Sequence, residues 1–240
     1  MILFLSAVAP ALFIMYLIYR HDLEKEPIKM MVKAFFGGVL SILLTLIIVY
    51  PISPIGSFFT GGFLQSFFSA FFEAGIPEEL SKWIIFYWLI KRAPHFDQYY
   101  DGILYAIFIS MGFALVENLM YVYGTAVKEG YSAGLSVAAL RAIMSVPGHM
   151  LFAVPMGYFL SLSKFEQGKE ASKHIMLSLA VPILLHGLFD FILMYSSSIG
   201  ETNPLFALLL LLIFIFFDIY IWRLGLRKIK EHLNKDKVIN

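Results

Sequence analysis

Cysteine is missing from all 240 residues, which excludes a disulfide framework, a thiol nucleophile and a cysteine-bound metal. Charge is scarce too, at 15% Asp, Glu, Lys and Arg, and the formal balance of +1 gives no long-range field to draw nucleic acid or anionic lipid. No H-E-x-x-H helix is present to hold a two-histidine zinc site. A G-x-S-x-G serine elbow is absent as well. No basic residue precedes the first apolar run, MILFLSAVAPALFIMYLIYR, so it reads as a retained spanning helix and not as a cleaved signal. What the chain has in excess is apolar surface: 60% of its residues, against about 45–50% in ordinary soluble domains. The charges fall in short clusters between apolar runs of roughly 18 or more residues, each able to cross a hydrocarbon core about 30 Å thick. The expectation is an all-α, polytopic transmembrane helical bundle in the cell membrane, with 1–240 as one integral-membrane domain.

Crossings are expected near 2–19, 31–50, 99–123, 133–161, 174–196 and 204–222, and a further segment at 57–91 is too long for one simple span. Gly75 and Pro77 divide that segment. Its first part, SFFTGGFLQSFFSAFFEA, is aromatic with polar interruptions and reads as interfacial or partly inserted; the sequence does not fix the placement of 57–74. Its second part, PEELSKWIIFYWLI, begins like a helix because proline suits the first helical position. Cytoplasmic loops carry the excess of Lys and Arg. Arg20 to Lys33, Lys91-Arg92, Lys164 to Lys173 and Arg223 to Lys237 are basic, whereas PISPIGS and SSSIGETNP have no basic residue and GTAVKEGYS has one. The pattern predicts about seven crossings plus one partial or interfacial helix, with the N-terminus outside and the C-terminus cytoplasmic.

Removing the loops leaves Glu73, Glu78, Glu79, Lys82, Glu117, Arg141, His149, His186, Asp190 and Asp218 within or near apolar runs. Each ionised group at mid-membrane costs roughly 2.5–3.5 kcal/mol, so they must be paired or wetted. Counted from the cytoplasmic ends at about 1.5 Å per residue, Glu79, His149 and His186 lie at a similar depth, and Glu117 and Asp190 farther outward. Four separate helices therefore bring carboxylates and imidazoles to one level. Glu78 and Lys82 are spaced i, i+4 and are expected to neutralise each other. Glu79, turned 100° away, is the first choice for the reactive carboxylate. His186 and Asp190 are also i, i+4, so the aspartate can fix the tautomer of the ring. His149 follows Pro147-Gly148, where a kink is expected. Glu117 is read either as a site residue or as a partner of Arg141. Arg141 is expected to be structural, Glu73 and Asp218 wet, and Tyr100-Asp101 solvated at the boundary.

An aspartyl pair would need a second aspartate at the depth of Asp190, and none is evident. Glu and His remain, able to activate water directly or through a metal held by imidazole and carboxylate. At these residues the chain resembles the PrsW family of bacterial intramembrane proteases, related to the CAAX prenyl protease and bacteriocin-processing superfamily. PEELSKW, HFDQYYDGILYA, GFALVEN, SVPGHMLFAVPMGY and LLHGLFDF carry the resemblance in that order, together with the EPIKMMVKAFFGG loop. It places E-E-x-x-K on Glu78, Glu79 and Lys82, F-x-x-x-E on Phe113 and Glu117, and the histidine motifs on His149 and on His186 with Asp190. In the CAAX relatives the second motif ends in histidine, so Glu117 departs from that wider pattern. The resemblance implies first-site cleavage of a single-pass membrane protein such as an anti-sigma factor, on its extracytoplasmic side. Glu78, Glu79, Glu117, His149 and His186 are the expected catalytic residues, with Lys82 and Asp190 supporting. No cofactor is required by this reading; zinc on Glu79, His149 and His186 is the alternative. A membrane carrier moving ions or protons through the same buried charges is the rival, and a non-enzymatic assembly or immunity protein a third reading.

Overall fold

A computed structural model describes residues 1–89, 91 and 93–239, which are helical apart from short connections and contain no strand. Ile90 in the 57–91 segment and Arg92, one of the orienting basic residues, lie outside the described residues. Helix α1 (Ile2–His21) and helix α2 (Ile28–Gly56) open the chain. The PISPIGS stretch is not a loop: α2 runs through Pro51 and Pro54. Spanning helices tolerate proline because neighbouring groups and local adjustments satisfy the few backbone groups it frees.

Within the 57–91 segment, residues 62–89 form one helical rod in three parts: α3 (Gly62–Phe68), a π-helical stretch (Ser69–Gly75) and α4 (Ile76–Leu89). The stretch ahead of Gly75 is helical and runs on into α4. Pro77 lacks an amide hydrogen and its ring would press on a carbonyl four residues back. The π stretch widens the turn before it, with the Ile76 N–H donating to the Phe71 carbonyl five residues earlier. Helicity therefore continues through Gly75 and Pro77 instead of breaking there.

Helix α5 (Tyr99–Glu129) is the buried axis of the bundle, enclosed almost completely from Tyr100 to Ala114. Small residues let its neighbours approach it closely. A Cβ on Gly38 of α2 would lie 1.8 Å from the Ile109 carbonyl oxygen of α5, and one on Gly112 of α5 would lie 2.1 Å from the Phe35 oxygen. The expected crossing at 133–161 divides into α6 (Tyr131–Ile143) and α7 (Ser145–Phe165). The turn falls at Met144 (φ −113°, ψ −66°), upstream of the expected kink. Pro147 then occupies the first turn of α7, where no intrahelical amide is needed. Helix α8 (Gly168–Ile199) and helix α9 (Pro204–Ile239) complete the chain.

Six stretches are long and apolar enough to cross a bilayer: α1, α2, α5, the α6–α7 pair, α8 and α9. The chain is a multi-pass membrane protein. Helix α9 continues far beyond the expected end at 222, and its last turns reach the start of α5. There Asp236 accepts hydrogen bonds from the amides of Tyr99 (2.8 Å) and Tyr100 (2.9 Å). Tyr100-Asp101, expected to be solvated, is fully buried for this reason. Asp101 accepts the amides of Asp97 (3.0 Å) and Gln98 (2.7 Å), and the Tyr100 hydroxyl donates to the Ile18 carbonyl (2.9 Å). The orphan amides at the N-terminus of α5 thus take carboxylate acceptors, as an enclosed helix end requires.

Candidate functional site

The first two turns of α4 carry Glu78, Glu79 and Lys82, all buried. A lysine three and four residues after two carboxylates lies on the same helix face as both. Its ammonium takes Glu79 as the nearer partner, at 2.7 Å from Oε1, and stands 3.4 Å from Oε2 of Glu78. The expected Glu78–Lys82 pairing is thus the weaker of the two. The reason comes from another helix: Lys82 Nζ also donates to His149 Nδ1 of α7 at 3.1 Å and lies 4.1 Å from the ring centre of Phe113 of α5. These partners pull the ammonium toward Glu79.

That contact fixes the His149 tautomer. With Nδ1 accepting from Lys82, the proton sits on Nε2, which faces Glu117 Oε2 of α5 at 2.8 Å. The same Glu117 oxygen takes Arg141 Nη2 of α6 at 2.6 Å, while Arg141 Nε donates to Asn118 at 2.8 Å and the guanidinium lies over the Tyr121 ring at 4.3 Å. Glu117 therefore pairs with Arg141, one of the two readings given for it, and also lies against His149.

His186 of α8 lies between two carboxylates. Its Nδ1 is 2.9 Å from Glu79 Oε1 and its Nε2 is 3.3 Å from Asp190 Oδ2. A neutral ring can donate to only one of them. Nε2 is also 4.0 Å from Glu78 Oε2. Phe152 of α7 stacks on the imidazole at 4.7 Å between centroids, and the two histidine rings stand 5.4 Å apart at 90°. Trp83 fastens α4 to α8 by an indole hydrogen bond to Ser178 at 2.8 Å. Phe152, Ser178 and Trp83 escaped the sequence analysis. Phe152 is one of 24 phenylalanines, and a single Trp–Ser pair far apart in sequence leaves no local pattern.

Exposure is graded across the cluster. The Glu79 side chain is 0% exposed and Lys82 1%, whereas Glu78 is 10%, Glu117 16% and Asp190 23%. The site thus has a closed floor at Glu79–Lys82 and a rim at Glu78, Glu117 and Asp190. Glu73, bonded to the Ser69 hydroxyl at 2.7 Å, and Asp218 on α9 stay outside it.

Glu78, Glu79, His149 and His186 each offer a ligand atom within 4.8 Å of the others. Glu79 Oε2 is buried without a hydrogen-bond partner. The network also holds four carboxylates, Glu78, Glu79, Glu117 and Asp190, against the fixed cations Lys82 and Arg141. Buried charge has to be compensated; a second proton on His186 or a divalent cation would contribute to this. The donor set suits a zinc ion, which takes imidazole and carboxylate ligands in small numbers.

A family model described as "PrsW family intramembrane metalloprotease" matches residues 26–220. The chain is similar over nearly its full length to proteins named Protease PrsW. It is 34% identical to that of Bacillus subtilis (94% of this chain, 93% of the relative) and 34% identical to that of Oceanobacillus iheyensis (98% and 97%). Identity to the Clostridioides difficile protein is 31% (99% and 94%). No solved structure matches.

Proposed function

Since the chain belongs to the PrsW family of intramembrane proteases, we propose that it hydrolyses one peptide bond of a single-pass membrane protein by water activated in the Glu/His cluster. The chain is a membrane-embedded peptidase acting on membrane-protein substrates. An anti-sigma factor, cut near its outer membrane boundary by an enzyme with its N-terminus outside and its C-terminus cytoplasmic, is the substrate that the family resemblance and the loop charges favour.

The observation that carries the mechanism is the contrast between the two adjacent glutamates. Glu79 is fully enclosed and its Oε1 takes both Lys82 and His186, while Glu78 stands at the rim, 4.0 Å from His186 Nε2. We assign Glu78 as the general base for water and Glu79 as the anchoring carboxylate, a division that moves the reactive role from the residue first favoured by the sequence to its neighbour. A base must lie within hydrogen-bond reach of the water it deprotonates, directly or through one more water. Glu78 takes the proton, the hydroxide adds to the peptide carbonyl, and the proton passes to the leaving amine. Asp190 orients His186, and Arg141 with Glu117 orients His149, so that both rings face the reacting group.

Of the two routes left open by the sequence, the metal route is favoured by the family description and by the four ligand atoms. Glu79 and His186, with His149 once Lys82 releases its Nδ1, would hold zinc, which when bound polarises a carbonyl or lowers the pKa of bound water. The test is cleavage of a single-pass substrate by the wild type, Glu78→Gln, Glu79→Gln and His186→Ala, in lipid vesicles, with chelator and with zinc restored. The expected losses are at least about a hundredfold in each variant, and the chelated wild type stays inactive until zinc returns. Normal cutting by Glu78→Gln or His186→Ala overturns the mechanism, and undiminished cleavage in chelator overturns the metal assignment.

A further inference from the structure

Glu79 and His186 meet only while the helical rod and α8 keep one axial register, and a close backbone contact lies beside them. Gly75 ends the π stretch, one turn before Glu78 and Glu79, and it packs on Gly187, the residue after His186. A Cβ at Gly75 would lie 3.1 Å from the Gly187 amide nitrogen and 3.2 Å from its Cα. A Cβ at Gly187 would clash with the edge of the Phe71 ring, 2.3 Å from Cε1 and 2.4 Å from Cδ1. Phe71 is itself held, its ring 4.8 Å from that of Phe67. Farther along, Phe67 packs on Phe191 at 6.1 Å and Phe63 on Tyr195 at 5.5 Å. On the other side of the site the Trp83–Ser178 hydrogen bond ties the same two helices.

The π stretch makes this arrangement compatible with the carboxylates. In a regular α-helix at about 100° per residue, Phe71 and Glu79, eight residues apart, would point about 80° apart. The wider i→i+5 turns between them reduce that offset, so the ring seated on Gly187 and the carboxylate bonded to His186 both face α8. Small residues at such a contact set how closely two helices approach.

We propose that Gly187, with the Phe71 ring seated on it, is a positioning residue for cleavage: the contact sets the register of α8 against the rod and so the meeting of Glu79 with His186. The proposal rests on the Glu/His mechanism above. A side chain at 187 has to displace either the ring or the helix, and overpacking of a close contact moves backbone. Misplacement by about 1 Å costs roughly a hundredfold in rate.

The experiment compares full-length wild type, Gly187→Ala, Phe71→Leu and the double variant in vesicles, measuring kcat and KM for a single-pass substrate and the thermal unfolding midpoint. Gly187→Ala is expected to lose about a hundredfold in kcat with KM within about twofold, the pattern of a lost transition-state interaction. The double variant is expected to recover at least about tenfold over Gly187→Ala, because leucine vacates the volume the new methyl needs. If Gly187→Ala cuts at the wild-type rate while Glu78→Gln and His186→Ala are dead, the register role is refuted and the mechanism stands. Normal cutting by those two site variants refutes the mechanism instead. A double variant no better than Gly187→Ala, or failure of both to accumulate in folded form, also overturns the proposal, since the glycine would then serve assembly alone.

Discussion

Replacing Lys82 by methionine is the sharpest test of how the charges are balanced. The substitution keeps most of the side-chain volume and removes one ammonium that is 1% exposed and 2.7 Å from a carboxylate that is 0% exposed. Four carboxylates would then face Arg141 alone. Taking away one partner of a buried ion pair costs about 3–5 kcal/mol, because the remaining charge has neither water nor a counter-ion. At 1.4 kcal/mol per factor of ten, the lower bound is a loss of roughly a hundredfold in the folding equilibrium. Thermal unfolding of the detergent-solubilised protein in chelator should show it as a clear drop in midpoint. The decisive sample is the double variant Lys82→Met/Glu79→Gln. Both ends of the 2.7 Å contact are then neutral, and the double should be more stable than Lys82→Met alone, with a coupling of at least about 1 kcal/mol. A Lys82→Met protein that melts with the wild type, or a double variant no more stable than the single, would refute the reasoning.

Two further outcomes follow from particular contacts. Arg141→Ala frees Glu117 from its 2.6 Å partner and lets the His149 ring turn, so cleavage should fall about 10–100-fold, as losses of orienting partners do. Arg141→Lys should recover only part of this, because a single ammonium cannot reproduce the simultaneous contacts to Glu117 and Asn118; equal rates in the Ala and Lys variants and the wild type would remove Glu117 from the mechanism. In the α1–α2 connection, burial pushes the Glu26 carboxyl up from the usual 4.5 to about 7, against the lowering hydrogen bond from the Tyr105 hydroxyl, with the carboxylates of Asp22 and Asp97 adding to the rise. The folded state therefore binds this proton more tightly than the unfolded chain. Its stabilising contribution is complete below about pH 4.5 and is lost as pH rises through about 7. The unfolding midpoint should decline over that window, and Glu26→Gln should flatten the decline; an unchanged slope would show that Glu26 does not titrate there.

Apolar runs gave the helices away, because a bilayer admits backbone only when its polar groups are satisfied internally. The boundaries were less legible. Pro51 and Pro54 read as loop residues although α2 absorbs them, and Pro77 read as a break although the π stretch carries the helix through it. Both depend on which carbonyls neighbouring turns leave free, a property of assembled backbone and not of residue type. Asp101 shows the same limit from the polar side. Its charge suggested water, but the last turns of α9, more than a hundred residues away in sequence, close over the start of α5 and enclose it. At the candidate site the residue identities were legible, since buried carboxylates and histidines are rare in such a chain. The pairing was not. Lys82 can reach i−3 and i−4 equally well on its own helix, and the choice of Glu79 is made by His149, 67 residues away.

The adjacency of Glu78 and Glu79 acquires a physical meaning from this geometry. Consecutive residues on a helix diverge by about 100°, so two neighbouring carboxylates meet shared partners unequally. One turns inward, where Lys82 and His186 converge on a single oxygen with no access for solvent. The other is left near the rim with the weaker lysine contact. A lone carboxylate would have to meet both demands, yet a group enclosed tightly enough to anchor a lysine and a histidine is poorly placed to exchange a proton with incoming water. Under the proposed mechanism, splitting them between two residues lets the helix anchor the floor of the site with Glu79 while Glu78 acts as base at its edge. The rim residues Glu117 and Asp190 are the most exposed of the four carboxylates, so the cluster is least enclosed on that side. Glu78→Gln and Glu79→Gln should therefore fail differently: the first should lose cleavage with little change in unfolding midpoint, and the second should lose both.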